Sequence, residues 1–383
     1  MEWLRGLGVS ISEPRPFMAY GRGRTVDPAA MTATLGNQVA RRGGTIHLRT
    51  ALVELLTDEG GAVVGARVGG TNGLCPIAAR AVILATGGFQ GNPDLLSRYG
   101  IPNGGSLYLR SNPWSTGDGL RAADAVGAAL TPWLDSFYGH ALPAPPARFG
   151  PDDFFALAQR YGPVAVALNL AGERFVDESA GTGEETLNWA VARQPGATAA
   201  YIVDAATARR AYYGFVPEVA IDRAEASGGP VVRAETLDDL CTALARWGIP
   251  AGTARRTLEG YNRALLGHPD ADLHPPRKGN RYPLAEPPYT AVLVRAAITF
   301  TGGGIAVDPH MRVLRRATSS SLLPTAQAAA GELVRHAIPG LYAAGADIGG
   351  INTYGYLGGL AAALVTGRRA GRQAAAWAGA AAG

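Results

Sequence analysis

Apolar positions along the chain fall into two rhythms. Residues 1–9 (MEWLRGLGV) read as the end of a helix with a glycine stop, and 28–42 as a helix opened by Pro28. The run TIHLRTALVELLTD (45–58) alternates and is rich in β-branched residues, which predicts a strand. VVGARV (63–68) and PIAARAVILATGG (76–88) extend it into a ribbon. That ribbon ends in Ala81–Ala85 (AVILA), unbroken and apolar, as in a strand buried on both faces of a parallel sheet. A helix is predicted from Gly119 to Val126. From about 128 to 297 the texture shifts to prolines, aromatics and short helices, which marks an inserted second domain. The period of a sheet returns in ITFTGGGIAVD (298–308), a strand, turn and strand, and in IPGLYAAGADIGG (338–350). A terminal helix follows from about Gly358 to Ala380.

Composition narrows the class without naming a function. At 383 residues the chain exceeds the size at which one core usually divides. Hydrophobic residues make up 47% and charged residues 17%, as in a folded globular protein. The net charge of +4 comes from 35 basic and 31 acidic residues without long like-charge blocks, too mild to argue for nucleic acid. Two distant cysteines, Cys75 and Cys241, suggest neither a disulfide framework nor zinc, and six scattered histidines show no ligand spacing. No signal peptide is evident and arginines break the terminal apolar segment, so a cytoplasmic protein without a membrane span is expected.

Three glycine-rich turns carry the candidate chemistry: ATGGF (85–89), STGDG (115–119) and AAGADIGG (343–350), each after an apolar strand. Taken singly, each glycine is explained by a tight turn. Together, at the carboxyl ends of parallel strands, such turns let backbone N–H groups approach a ligand. The helix that starts near Gly358 would direct its positive end there. Asp347 suits a hydrogen bond from a sugar-alcohol hydroxyl, or a turn cap.

The segments AVILATGGFQGNPDLL, STGDGLRAADAVGA, AGERFVDES, ITFTGGGIAVDPHMRVL, IPGLYAAGADIGG and YLGGLAAALVTGRRAG occur in the order of one family. The chain resembles the FAD-dependent oxidoreductases that include fumarate reductase and succinate dehydrogenase flavoproteins and 3-ketosteroid dehydrogenases. FYGH (137–140), QPGATAAYIVD (194–204), PPRKGN (275–280) and ITFTGGG (298–304) are similar to its tricarballylate-dehydrogenase-like branch. The resemblance implies an α/β fold with an α+β cap. A discontinuous Rossmann-like FAD-binding domain would occupy 1–127 and 298–383, with a capping domain inserted at 128–297. It implies FAD contacts at Val53, Ala85, Thr86, Gly87, Thr116, Gly117, Asp118, Gly345, Asp347, Gly358, Gly359 and Leu360. A helix N-terminus near the flavin would stabilise negative charge on its reduced form.

The family opens on a strand, G-x-G-x-x-G and a helix, with an acidic residue beyond for the ribose. No such motif occurs in these 383 residues; Gly21 and Gly23 precede no suitable helix. The expectation is a chain N-terminally truncated relative to the family. Val82, Leu84 and Leu341 would be left uncovered, FAD would be held weakly or not at all, and the protein would be prone to aggregate. The alternatives to an oxidoreductase are a non-catalytic remnant and one subunit of a split flavoprotein.

The substrate positions of the fumarate reductase branch carry over poorly. Its donor arginine falls on Thr182, a histidine on Thr299 or Phe300, and a second arginine on Tyr356; His140 matches a substrate histidine. Three of four charged groups are thus replaced, which argues against fumarate and for a less cationic, more aromatic pocket. The candidate catalytic residues are Tyr354, Tyr356 and His140, the tyrosines being acid–base groups or pocket lining, the histidine a catalytic or ligand group or a satisfied cap residue. Arg277 and Lys278 in PPRKGN could meet an acidic substrate, but the expectation is that they are solvated loop charges. The expected reaction is interconversion of CH–CH and C=C beside a carbonyl or carboxyl group of a small molecule, with hydride passing at flavin N5 and an unknown electron partner.

Overall fold

The computed structural model describes residues 1–16, 21–71, 73–181, 183–267, 273–316, 337–351, 356 and 358–380. Helix α1 (Glu2–Gly6) leads to α2 (Pro28–Arg41), which is capped by Asp27 accepting from the Ala30 N–H, with Pro28 at the first position. Strands β1 (Ala51–Thr57), β2 (Val63–Gly70) and β3 (Gly73–Ala78) form an antiparallel ribbon. The predicted strand over 45–58 is therefore shortened. Arg49 has φ of 53° and turns the chain, and Leu48 is exposed on the far side of that turn.

After the ribbon comes β4 (Val82–Leu84). Strand β5 (Tyr108–Leu109) and helix α3 (Asp118–Ala125) follow, the helix starting from Gly117 in the left-handed conformation. The short strands β6 (Phe137–Tyr138) and β7 (Leu142–Pro143) lead to β8 (Val166–Leu168), α4 (Glu184–Ala192) and β9 (Thr198–Val203). Next are β10 (Val231–Ala234), α5 (Leu237–Leu244), α6 (Ala251–Leu265) and β11 (Tyr289–Arg295). The chain closes through β12 (Ala297–Ile298), β13 (Phe300–Thr301), β14 (Arg312–Leu314), β15 (Ala337–Ala343) and α7 (Gly359–Ala380).

The central sheet is ordered β8-β9-β11-β10 with β7 also on β11, and its side chains alternate between two apolar layers. Along β9, Ala200 and Ile202 face Leu240, Leu244, Leu258 and Tyr261 of α5 and α6. Ala199, Tyr201 and Val203 face the opposite way, toward Leu187 and Val191 of α4. All six residues of β9 are buried, Thr198 among them, so the strand is covered on both faces.

A second sheet, ordered β14-β15-β4, carries the glycine turns. Strand β15 runs parallel to β4 in the register Leu341↔Val82, Tyr342↔Ile83 and Ala343↔Leu84. Two expectations are corrected here. Leu84 and Leu341 are not uncovered: they are 2% and 0% exposed, packed with Leu55 and Val63 of the ribbon. Nor is the AVILA strand buried on both faces. Ile83 is 38% exposed, because β4 pairs with β15 alone among the described residues and lies at the sheet edge. None of the described helices is long and apolar enough to cross a membrane.

Candidate active site

The parallel pair β4 and β15 ends at Asp347, and three glycine turns meet there. The Asp347 carboxylate accepts from the Thr86 hydroxyl at 3.0 Å and the Gly87 N–H at 2.9 Å. Thr86 in turn accepts from the Gly119 N–H at 2.9 Å, which draws the first turn of α3 into the same knot. Gly119 is required by this approach: a Cβ there would collide with Asp347 Oδ1 and lie 2.6 Å from Thr86 Oγ1. The carboxyl is 2% exposed, and burial pushes its pKa up to about 6 against the opposing hydrogen bonds of Gly87 and Thr86. Thr116 and Asp118 are bonded to each other at 2.9 Å on the far side of that turn, and Asp118 also pairs with Arg121.

Gly345 begins the turn after β15, and its N–H donates to Thr366 of α7 at 2.9 Å. The first turn of α7 holds no acidic side chain, and its Gly359 and Ala362 line a cleft together with Phe300, Thr301, Gly302 and Gly345. The space between them is about 40 Å³. A planar ring system enters this slot only if Phe300 and the first turn of α7 part. Beside it, Gln90 Oε1 and Thr301 Oγ1 are buried without partners, and both converge on Gly88. Left-handed Gly87, the unpartnered polar atoms and the helix terminus make a donor and acceptor set that fits the flavin and ribityl part of FAD.

The remaining positions expected to touch FAD divide. Ala85 follows β4 directly. Gly358 has φ of 86° and starts α7, with Leu360 exposed on its first turn. Val53 sits on β1, half exposed and beside Gly69. Tyr354 and Thr182 fall outside the described residues.

An aromatic and ionisable cluster adjoins the cleft. Tyr138 stacks between Phe300, with ring centroids 4.9 Å apart, and Tyr356, at 4.8 Å, each at 22°. Its hydroxyl lies 2.9 Å from His140 Nε2, and His140 Nδ1 lies 2.9 Å from Glu184 Oε2. Glu184 Oε1 accepts from the Tyr201 hydroxyl at 2.7 Å, and the Ala141 N–H donates to the same carboxyl. His140 is 3% exposed, and both of its ring nitrogens have partners within the fold. Burial drives both groups toward neutrality, His140 well below and Glu184 well above its ordinary pKa. Tyr138 is raised by burial as well, with Glu185 adding to the effect.

Sequence reasoning missed Arg110, Tyr138 and Glu184. Arg110 donates to Thr299 at 3.0 Å, while its Nε is buried without a partner. Its charge acts on Tyr138, His140 and Glu184. Tyr138, Phe300 and Tyr356 give the site stacked aromatic rings, and two guanidinium groups, Arg110 and the 6%-exposed Arg160, act on it. Arg277 corrects a further expectation. It is buried at 2% exposure, donating to the carbonyls of Pro163 and Ala165 and pairing with Glu178 at 3.3 Å, while Lys278 alone remains a surface loop charge.

Tyr138 and His140 share a face because the backbone between them is extended. Gly139 makes that possible: a Cβ there would run into the Ala297 carbonyl. Gly139→Ala is expected to cost about 1–3 kcal/mol through forced backbone displacement and to break the Tyr138–His140 contact. Urea unfolding with near-UV circular dichroism checks this, and an unchanged midpoint and spectrum would refute the packing argument.

Comparison with known proteins fits this geometry. A family model described as FAD binding domain matches residues 12–361. The chain is 28% identical over 390 residues to a probable fumarate reductase of Shewanella frigidimarina, covering 98% of this chain and 59% of the relative. It is 28% identical over 381 residues to a 3-oxosteroid 1-dehydrogenase of Mycobacterium tuberculosis, covering 89% and 63%. The open conformation of a flavocytochrome c3 fumarate reductase superposes with a TM-score of 0.65 at 26% identity, covering 98% of this chain and 62% of that one. The chain thus spans about three fifths of the length of the relatives it matches.

Proposed function

This chain belongs to the FAD binding domain family, and we propose that it serves an FAD-dependent oxidoreductase that interconverts CH–CH and C=C beside a carbonyl or carboxyl group. The observation that carries the reading is the Asp347 knot, which gathers three glycine turns at the start of α7 next to Arg110 and the Tyr138 stack. Thr86, Gly87, Gly345, Asp347, Gly358 and Gly359 would hold the ribityl and ring portion, with the α7 N–H groups at its anionic edge. When bound there, FAD supplies the hydride acceptor or donor.

The chain's own groups do the rest. Arg110, with its buried free Nε, would bind the carbonyl or carboxylate oxygen and steady the charge that develops on it. Phe300, Tyr138 and Tyr356 offer flat apolar walls. Residues 128–297 would close over the cleft and exclude water. The named relatives act on fumarate and a 3-oxosteroid, the one an alkene flanked by carboxylates, the other a ketone. Two guanidinium groups, Arg110 and Arg160, act on the aromatic cluster, while Thr182, Thr299 or Phe300, and Tyr356 stand where a dicarboxylate site would carry charge, which favours a planar monocarboxylate or ketone over fumarate.

The test is flavin retention. No G-x-G-x-x-G occurs in the 383 residues to receive a pyrophosphate. The purified chain is therefore expected to quench or shift flavin with FAD in excess and to lose the chromophore on a desalting column. A 450 nm band that survives the column would show that other residues grip the phosphates. No spectral response at any FAD concentration would overturn the reading for this chain.

A further inference from the structure

We propose that Tyr138, His140 and Glu184 form a proton relay, in which the Tyr138 phenol exchanges a proton with the substrate carbon and Glu184 stores it. This deepens the reading above and rests on it for the substrate step. Tyr138 would be the catalytic residue; His140 and Glu184 would be positioning residues that act through it.

The geometry carries the argument. The three groups are linked by contacts of 2.9 Å and 2.9 Å, with the phenol ring in the aromatic stack and the carboxyl buried at the first turn of α4. A buried carboxyl is costly to ionise unless hydrogen-bonded. Glu184 is provided for in both states, since the Tyr201 hydroxyl at 2.7 Å and the Ala141 N–H serve it as donors. The ionisable groups around it are Arg110, Arg160, Glu185, Tyr161, Tyr201 and, across Tyr138, Tyr356. The two arginines favour its anion; Glu185 and burial oppose it.

The proton count closes. In the oxidising direction Glu184 starts ionised, His140 carries its proton on Nδ1, and Tyr138 donates to Nε2. The substrate C–H proton passes to the Tyr138 oxygen, the phenol's own proton passes to His140 Nε2, and the Nδ1 proton passes to Glu184 Oε2. One proton has moved from substrate to Glu184, His140 has switched tautomer, and no charge remains on the imidazole. The hydride from the neighbouring carbon is the part for which FAD is the oxidant. Reduction runs the same transfers backward.

The tautomer switch makes the relay observable without flavin or substrate. In the full chain labelled with ¹⁵N-histidine, long-range ¹H–¹⁵N spectra across pH 5–9 are expected to show His140 changing from Nε2–H to Nδ1–H as Glu184 ionises, never as imidazolium. In Glu184→Gln, donation from Tyr201 fixes the amide oxygen at the Oε1 position and presents the NH₂ to Nδ1, so His140 should hold Nε2–H throughout. An imidazolium with an ordinary midpoint, or the same tautomer course in both proteins, overturns the relay. Tyr138→Phe keeps the ring stack and removes only the hydroxyl. With FAD in excess and cinnamate or cyclohexenone as probe, it should lower turnover by about 10²–10⁴-fold without changing flavin affinity. Unchanged turnover with the tautomer switch intact would also overturn the proposal. A chain that shows the switch yet gives no flavin signal would sink the oxidoreductase reading and leave the proton linkage standing.

Discussion

Replacing Glu178 by alanine should destabilise the protein by about 3–5 kcal/mol, the cost of leaving buried charges without their counterion. Glu178 is fully buried between two guanidinium groups. Arg174 reaches it in a fork, Nε to Oε1 at 2.8 Å and Nη2 to Oε2 at 2.6 Å, and Arg277 pairs with it at 3.3 Å. Both arginine side chains are at most 1% exposed. Each also donates to carbonyls, Arg174 to Pro275 and Arg277 to Pro163 and Ala165, and both lie by the Tyr261 ring. Those bonds hold the arginines in place after the carboxylate is gone, so two positive charges remain in a dry site. Glu178→Gln, which retains an acceptor and the shape, should fall between alanine and wild type. Urea unfolding of the three proteins checks the order, and a loss under about 1 kcal/mol for the alanine variant would mean that water reaches the site. Glu178 lies six positions before Glu184 in the same segment, so the loss should also disturb the His140 resonance.

That triad shows where sequence reading stops. AGERFVDES was legible as a family segment, yet nothing in its spacing says that Arg174 and Glu178 meet Arg277 a hundred residues later, and PPRKGN has the composition of a solvated loop. What was legible had a period or a boundary residue. The apolar runs at 82–84 and 337–343 pair as parallel strands, α2 starts at Pro28, and the glycine turns converge. Tyr138 and Arg110 sit in or beside two-residue strands, too short for any period to register. Glu184 opens α4 beside Glu185, where an acidic residue is explained by the helix dipole alone; only the fold turns it inward to His140. The overlong strand at 45–58 failed for the opposite reason. Its alternation continues through residues that Arg49, at positive φ, directs away from the sheet.

Asp347 yields the other large effect, and its sign runs against intuition for a hydrogen-bonded carboxyl clasp. Its carboxyl is held near pKa 6 in the fold against 3.8 as the ordinary value, because burial outweighs the hydrogen bonds from Gly87 and Thr86. The folded state therefore binds this proton more tightly than the unfolded chain. The stabilisation is complete below about pH 4 and is lost as pH rises through 6. Two pKa units correspond to at most about 3 kcal/mol. Asp347→Asn keeps an oxygen for the Gly87 N–H and offers its NH₂ to Thr86 Oγ1, so the knot closes without charge. The variant should thus lack this slope and be the more stable protein at pH 8. Urea midpoints at pH 5 and pH 8 for both proteins decide it: equal slopes would show that Asp347 is not the group responsible. If the variant is the more stable one but responds less to FAD, the ionised carboxylate is kept at a cost in folding for the sake of the ligand, as the proposed site requires.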